Sequence, residues 1–188
     1  MMNDNQRRLL DEWGCLMLPE IIEHDTYQMV LEACLHRDDK GFHLFCRGNG
    51  GSSRDAYAII DVIEDHSNVV GFLPGDACSM HAIIWAACAK RYVYPLGTIG
   101  LHMVALNQVE HIDAKYAASI AREYEASDRR NAMILATACT SAGLQFGCEF
   151  WLNTIRQNGS HGITEFDAHF LTTVCKMAQP ASDYKKGL

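Results

Sequence analysis

NVVGFLPGDACSMHAIIWAACAKRYVYPLGTIGLHM, from Asn68 to Met103, is the stretch that decides the fold. It opens with an apolar run, Val69 to Leu73, bounded by Asn68 before it and Pro74-Gly75 after it, and this reads as a buried strand. Small residues lead to Ser79, where a helical pattern begins. Ile83, Ile84, Trp85 and Ala87 to Ala89 make that helix apolar almost all round, the pattern of a core helix. A second β-rich stretch follows, Tyr92-Val93-Tyr94 and then Thr98, Ile99 and Leu101, and it delivers His102. A serine at a strand-to-helix turn has its hydroxyl beside the unpaired N–H groups of the helix start, where negative charge is stabilised. A histidine brought back by the next strands can serve as its base.

Working upstream, FHLFCRGNGGSS (Phe42 to Ser53) ends a strand at Leu44 to Cys46. Gly50-Gly51 then lets backbone N–H groups approach a substrate with no side chain in the way. Ser52 or Ser53 caps the next helix, on which Tyr57, Ile60 and Ile63 share a face. Cys15 to Leu18 is a short strand, and His24-Asp25-Thr26 caps a helix from about Tyr27 to Leu35. Residues 1–12 are polar and expected to be loosely held, with Leu9, Leu10 and Trp13 as their apolar anchors. Strand and helix alternate throughout, which argues for an α/β fold with largely parallel strands.

Downstream of His102 the pattern gives a weak strand and then a long helix capped by Asp113. That helix runs through Tyr116, Ile120 and Tyr124 into Ala132 to Ala138 and ends at Gly143. A shorter helix spans about Gln145 to Gln157, and Asn158 to Gly162 is a turn. Thr164 is read as the cap of a last helix, Glu165 to Met177, before a tail from Pro180 through residues 182–188.

Composition narrows the classes. The 188 residues suit one domain, 1–188, and 48% hydrophobic with 21% charged residues is a globular balance. A net charge of −7 with no basic cluster argues against a nucleic-acid surface. The eight cysteines include no C-x-x-C pair, which fits small core residues in a reducing compartment rather than a zinc site. No metal and no cofactor is expected. The N-terminus lacks an apolar signal segment, and no run approaches the roughly 18 apolar residues of a membrane span. The cytoplasm is the default location, with no membrane partner.

Taken together, GNGGSS, GDACSMHA and GLHM resemble the Clp protease proteolytic-subunit (ClpP-like) family, whose fold belongs to the crotonase-like superfamily. The resemblance is continuous from about Leu16 to about Val104 and loose after that. It implies a spiral of ββα units, followed after the histidine by a helical handle that, with the next helix, takes up about 105–157. It also implies Ser79 as nucleophile, His102 as base, and the backbone N–H groups of Gly51 and Met80 as oxyanion donors. The activity implied is that of a serine endopeptidase cutting peptides or unfolded proteins through an acyl-enzyme. Its partners would be copies of itself in stacked rings, with paralogous subunits a further option.

The chain departs from the family pattern at four places. His81 stands where the family prefers a small residue, and Gly48-Asn49 replaces Ser-Pro before the glycine pair. The family's third catalytic residue, an aspartate, should fall within Asn158 to Thr164, which holds no carboxylate. Asn158 or Ser160 is left to orient His102, while Asp167 falls inside the following helix on this reading. About a dozen residues precede the first strand, fewer than the family's pore-loop segment. Docking to a Clp-type ATPase therefore does not carry across, short of a different subunit in mixed rings.

Several alternatives stand beside this reading. Ser79 alone would be a helix N-cap, and His81 a polar residue on the first helical turn, or one that narrows the site or donates to substrate. Gly48 to Gly51 resembles a phosphate loop, but Ser53 stands where the third glycine of that pattern belongs. A catalytically weak structural subunit, joining or regulating rings of an active paralogue, accounts for the missing aspartate. A crotonase-type acyl-CoA enzyme shares the fold and the oxyanion donors but explains neither Ser79-Met80 nor His102.

Overall fold

The computed structural model describes residues 2–37, 40–66, 68–103, 114–139, 144–157 and 162–184. One pattern, strand–strand–helix, recurs four times along the chain. Its turns are β1 (Cys15–Met17), β2 (Ile21–Ile22) and α2 (His24–Arg37), then β3 (Phe42–Phe45), β4 (Gly50–Gly51) and α3 (Ser53–Asp65). The third is β5 (Val69–Leu73), β6 (Asp76–Cys78) and α4 (Met80–Ala87), and the fourth β7 (Lys90–Val93), β8 (Thr98–Leu101) and α5 (Ala114–Ala138). A helix α1 (Asp4–Trp13) precedes them; α6 (Cys148–Arg156), β9 (Thr164–Asp167) and β10 (Gln179–Pro180) follow.

The first strand of each turn joins a parallel sheet in the order β1-β3-β5-β7, which β10 extends beside β7. The second strands form another layer: β2 is parallel to β4, β6 is parallel to β8, and a Gly48–Ala77 bridge joins the two pairs. Each turn thus advances one strand along both layers. This is the ββα spiral of a ClpP-like α/β fold that the family resemblance implies, with the largely parallel strands that the alternation of strand and helix predicts.

Helix α4 forms the middle of the core. Every residue from Met80 to Ala86 is buried, His81 included. Its Trp85 lies against Gly71 of β5, where an added Cβ would sit 3.1 Å from the indole Cδ1. Full burial of Trp85, Ile83, Ile84 and Met80 stabilises the fold by about 2 kcal/mol apiece. On one face of the sheet the rings of Phe45, Phe72 and Tyr92 stack in sequence, at centroid distances of 5.1 and 5.4 Å. Cys34, Cys46, Cys88, Cys139 and Cys175 are buried free thiols, and burial pushes those of Cys34 and Cys88 up to about 12. These are core residues, as the sequence suggests.

Arg91 of β7 ties the end of the chain to this core. Its Nε donates to the Met177 carbonyl at 2.7 Å and its Nη1 to the carbonyls of Ala86, at 3.4 Å, and Cys88. Nη2 donates to Ala138 at 3.3 Å. One guanidinium therefore satisfies orphan carbonyls at the C-terminal ends of both α4 and α5, where the helix dipoles favour a cation. Helix α5, 25 residues and about 38 Å long, is rooted at its C-terminal half. There Arg130 pairs with Asp61 of α3 at 2.7 Å and lies 4.1 Å above the Tyr57 ring. Most of residues 115–127 are exposed.

Four expectations are corrected. The N-terminal residues are not loose: Asn3 and Gln6 form a capping box for α1, Leu10 is fully buried, and the Met2 N–H donates to Glu32 at 3.1 Å. Trp13, expected as an anchor, is 60% exposed. Thr164 does not cap a helix. Residues Thr164–Asp167 are β9, antiparallel to β8, and the helical structure after it in the segment assigned to the last helix is confined to 168–174, a short stretch that includes a π turn at Phe170–Val174. The local helix-start signal of Thr164-Glu165 was overridden by pairing with β8. Lastly, the start of the tail is structured: β10 pairs with β7, and Tyr184 packs edge-on against Phe72 and Tyr92, each at 5.0 Å, and hydrogen-bonds His43. The expected weak strand after His102, the Asp113 cap, the Gly143 helix end and the candidates Asn158 and Ser160 lie outside the described residues.

Candidate active site

The second-layer strands converge on Ser79. It follows β6 directly and precedes the first residue of α4, so strand must become helix within one residue. The backbone does this at φ 54° and ψ −125°, one of two non-glycine positive-φ residues among those described. Such a conformation costs about 1–3 kcal/mol and persists only where surrounding contacts impose it. Here they do: the Ser79 N–H donates to the Gly100 carbonyl at 2.7 Å, and the Ser79 carbonyl accepts from Ala82 at 3.1 Å. The side chain caps nothing. A serine whose only task was to cap α4 would accept from its N–H groups, so the hydroxyl is left for other work.

His102 follows β8 as Ser79 follows β6. These strands are parallel neighbours, with Cys78 opposite Gly100, so both residues leave the layer at the same end. The imidazole Nδ1 lies 2.6 Å from the Met103 carbonyl. A carbonyl only accepts, so Nδ1 carries the proton and Nε2 keeps its lone pair, the tautomer that a general base needs. Among the described residues no hydrogen bond joins the ring to the Ser79 Oγ.

The glycine strand supplies the third wall. Gly50 and Gly51 pair with Ile21 and Ile22. Gly50, at φ 104°, passes so close to the serine that an added Cβ would stand 2.5 Å from Ser79 Cβ and 3.0 Å from its Oγ. Only glycine permits that approach. Gly51 follows at once, and Met80 is the first residue of α4, whose N–H has no acceptor within the helix. Ser79, Met80, Gly51 and His102 are thus drawn from three neighbouring strand ends. Cys78, next to the serine, is held as a thiol: burial, then the carboxylates of Asp76, Glu165 and Glu20, push its pKa up.

Asp167 is not brought to His102. It ends β9 opposite Thr98, four residues and about 13 Å along β8, and its carboxylate accepts from the Phe170 N–H at 2.8 Å. The earlier placement of Asp167 inside a helix is wrong for the same reason as the Thr164 cap. The β9 residue nearest the histidine is Thr164, opposite Leu101. Among the described residues no group of three His, Cys, Asp or Glu side chains is arranged to hold a metal, and no helix is long and apolar enough to cross a membrane.

Sequence reasoning read His81 as a polar residue on the first helical turn, or as one that narrows the site or donates to substrate. Instead of an ordinary polar position on a first helical turn, it is fully buried and accepts a hydrogen bond from the Gly50 N–H at Nδ1, 3.0 Å away. Its Nε2 lies 2.9 Å from the Pro19 carbonyl. The sequence signal was a polar ring on an otherwise apolar helix, which in a core must find partners.

A ββα spiral with a strained serine at one strand end and a histidine at the next defines the ClpP-like class of α/β fold. The Clp protease family model matches residues 1–140, and the chain belongs to that family. Comparison with curated proteins finds no match.

Proposed function

We propose that this chain is a serine endopeptidase acting through Ser79 and His102. The observation that carries the reading is the strained, uncapped Ser79 beside a glycine strand that leaves no room for a side chain. Ser79 Oγ attacks the peptide carbonyl carbon as His102 Nε2 takes its proton. The oxygen of the tetrahedral intermediate becomes an oxyanion held by the Gly51 and Met80 N–H groups, each worth roughly 3 kcal/mol to the transition state. Collapse breaks the C–N bond, and His102 gives its proton to the leaving amine. Water, deprotonated by His102, then attacks the acyl-enzyme; the carboxylate product leaves and Ser79 regains its proton.

The Met103 carbonyl does part of the work that an aspartate does in a triad: it fixes the tautomer and the ring plane. It carries no negative charge, so the imidazolium of the transition state is less stabilised. A slower enzyme is the consequence. The exposed N-terminal half of α5 suits a handle between two rings of identical subunits, which would enclose the site. The second reading, a structural subunit beside an active paralogue, draws on the same missing carboxylate.

Intact-mass analysis after treatment with a fluorophosphonate tests the proposal. One adduct on the natural chain and none on Ser79→Ala is the expected result. No adduct on folded, assembled natural protein refutes the peptidase reading and favours the structural one.

A further inference from the structure

His81 connects three segments that are far apart in sequence. From α4 its ring reaches the Gly50 N–H, 31 residues away, and the Pro19 carbonyl, 62 residues away. Because Pro19 offers only an acceptor, Nε2 carries the ring proton and Nδ1 is the acceptor for Gly50. Gly48 packs against the same ring, where a Cβ would meet Cε1 at 2.8 Å, and the Asn49 N–H donates to the Glu20 carbonyl at 3.0 Å. The glycine strand is therefore pinned on one side by the imidazole and pressed on the other against Ser79.

We propose that His81 is a positioning residue, holding the glycine strand that carries the Gly51 donor against Ser79 and doing so only while its ring is neutral. The proposal rests on the peptidase reading given above. The charge condition follows from the hydrogen bonds. A protonated ring bears a proton on both nitrogens, so Nδ1–H would point at the Gly50 N–H, donor against donor, and the strand would have to swing away. Of the elements packed around the ring, the segment before β2 contributes Glu20, whose carboxylate favours the charged form. The glycine segment and α4 contribute no other ionisable group, and β6 contributes Asp76 and Cys78. Burial outweighs the hydrogen bond to the Pro19 carbonyl and the charge of Glu20, both of which favour the protonated ring, and lowers its pKa from the ordinary value.

Two variants and two readouts test this. His81→Ala removes both bonds. His81→Asn sets an amide oxygen near the Nδ1 position, still accepts from Gly50, and does not titrate. Amide exchange at Gly50 reads the tie directly, whatever Ser79 does. Exchange should rise in His81→Ala, and in the natural chain it should rise in acid beyond the ordinary pH dependence of exchange seen in His81→Asn. Fluorophosphonate labelling of Ser79 reads the consequence. His81→Ala should label about 10- to 100-fold more slowly, the scale of a misplaced catalytic group, and His81→Asn should recover most of that loss. At the acid end the natural chain's labelling rate should fall more steeply with pH than that of His81→Asn, which lacks the ring that gains a proton there. Unchanged Gly50 exchange in His81→Ala, or equal acid slopes in the natural and Asn chains, overturns the proposal. If His81→Ala does not fold, the comparison with His81→Asn decides alone. A natural chain that never labels removes the catalytic half together with the Ser79 assignment, and the exchange readout tells the two failures apart.

Discussion

Gly50→Ala is the sharpest test of how the site is built. The added methyl would lie 2.5 Å from Ser79 Cβ, whereas ordinary contact begins at 3.4 Å, so strand and serine must part by about 0.9 Å. Cys78 O, 3.2 Å away, blocks an easy sidestep, and φ 104° disfavours any side chain at this position. The strained backbone and the overpacking together cost about 2–4 kcal/mol of stability. Gly51 moves with its neighbour, and a misplacement near 1 Å costs on the order of 100-fold in rate. The assay is the second-order rate of fluorophosphonate labelling, run beside a thermal melt of the same sample. We expect a folded protein that melts lower and labels about 100-fold more slowly. A melt shifted as expected with labelling within twofold of the natural chain would refute the proposed coupling of the glycine strand to the serine.

Two further outcomes follow from the packing. Arg91→Met strands carbonyls at the ends of α4 and α5 and at Met177, which should cost about 3 kcal/mol and lower the melting temperature by roughly 6–12 °C; a shift below about 2 °C would show that water replaces the guanidinium. His81 makes stability depend on pH in a definite direction. Its folded pKa is lowered from 6.5 by burial, so the unfolded chain binds this proton first. Its contribution is complete above pH 6.5 and is lost as pH falls through that value toward the folded pKa. The urea midpoint of the natural chain should therefore fall more between pH 7.5 and 5.5 than that of His81→Asn, and parallel curves would count against a neutral buried ring.

The first strands and the helices of the spiral were legible one by one because they carry strong local signals, while the repeat itself came only with the family resemblance. Val69 to Leu73 is apolar throughout, and Ser52 stands where a helix cap belongs. The serine, glycine pair and histidine of the candidate site sit at boundaries between elements, which punctuation residues mark. The two-residue strands β2 and β4 left no periodic signal, since two residues cannot show alternation. Thr164-Glu165 looks like a helix start, and only the edge of β8 makes it a strand. The Asn3/Gln6 capping box was present in the sequence and masked by polar surroundings. The role of His81 was hidden because both partners are backbone groups, and no side-chain pattern announces where those will come to rest.

The guanidinium of Arg91 also constrains how the chain is made. Its acceptor at Met177 lies 86 residues further on, and His43 meets Tyr184 only after 141. At about 5–20 residues per second, a ribosome needs roughly 4–17 s to go from one end of the Arg91 contact to the other. Throughout that interval the nascent chain carries an open β7 edge and a buried-type cation, two of whose four acceptors are missing until Ala138 emerges and one until Met177 does. Pairing so remote in sequence is slow to form. The last of the described strands to emerge is then the one that covers β7, so a chain released early leaves the edge of that longer strand open to other chains.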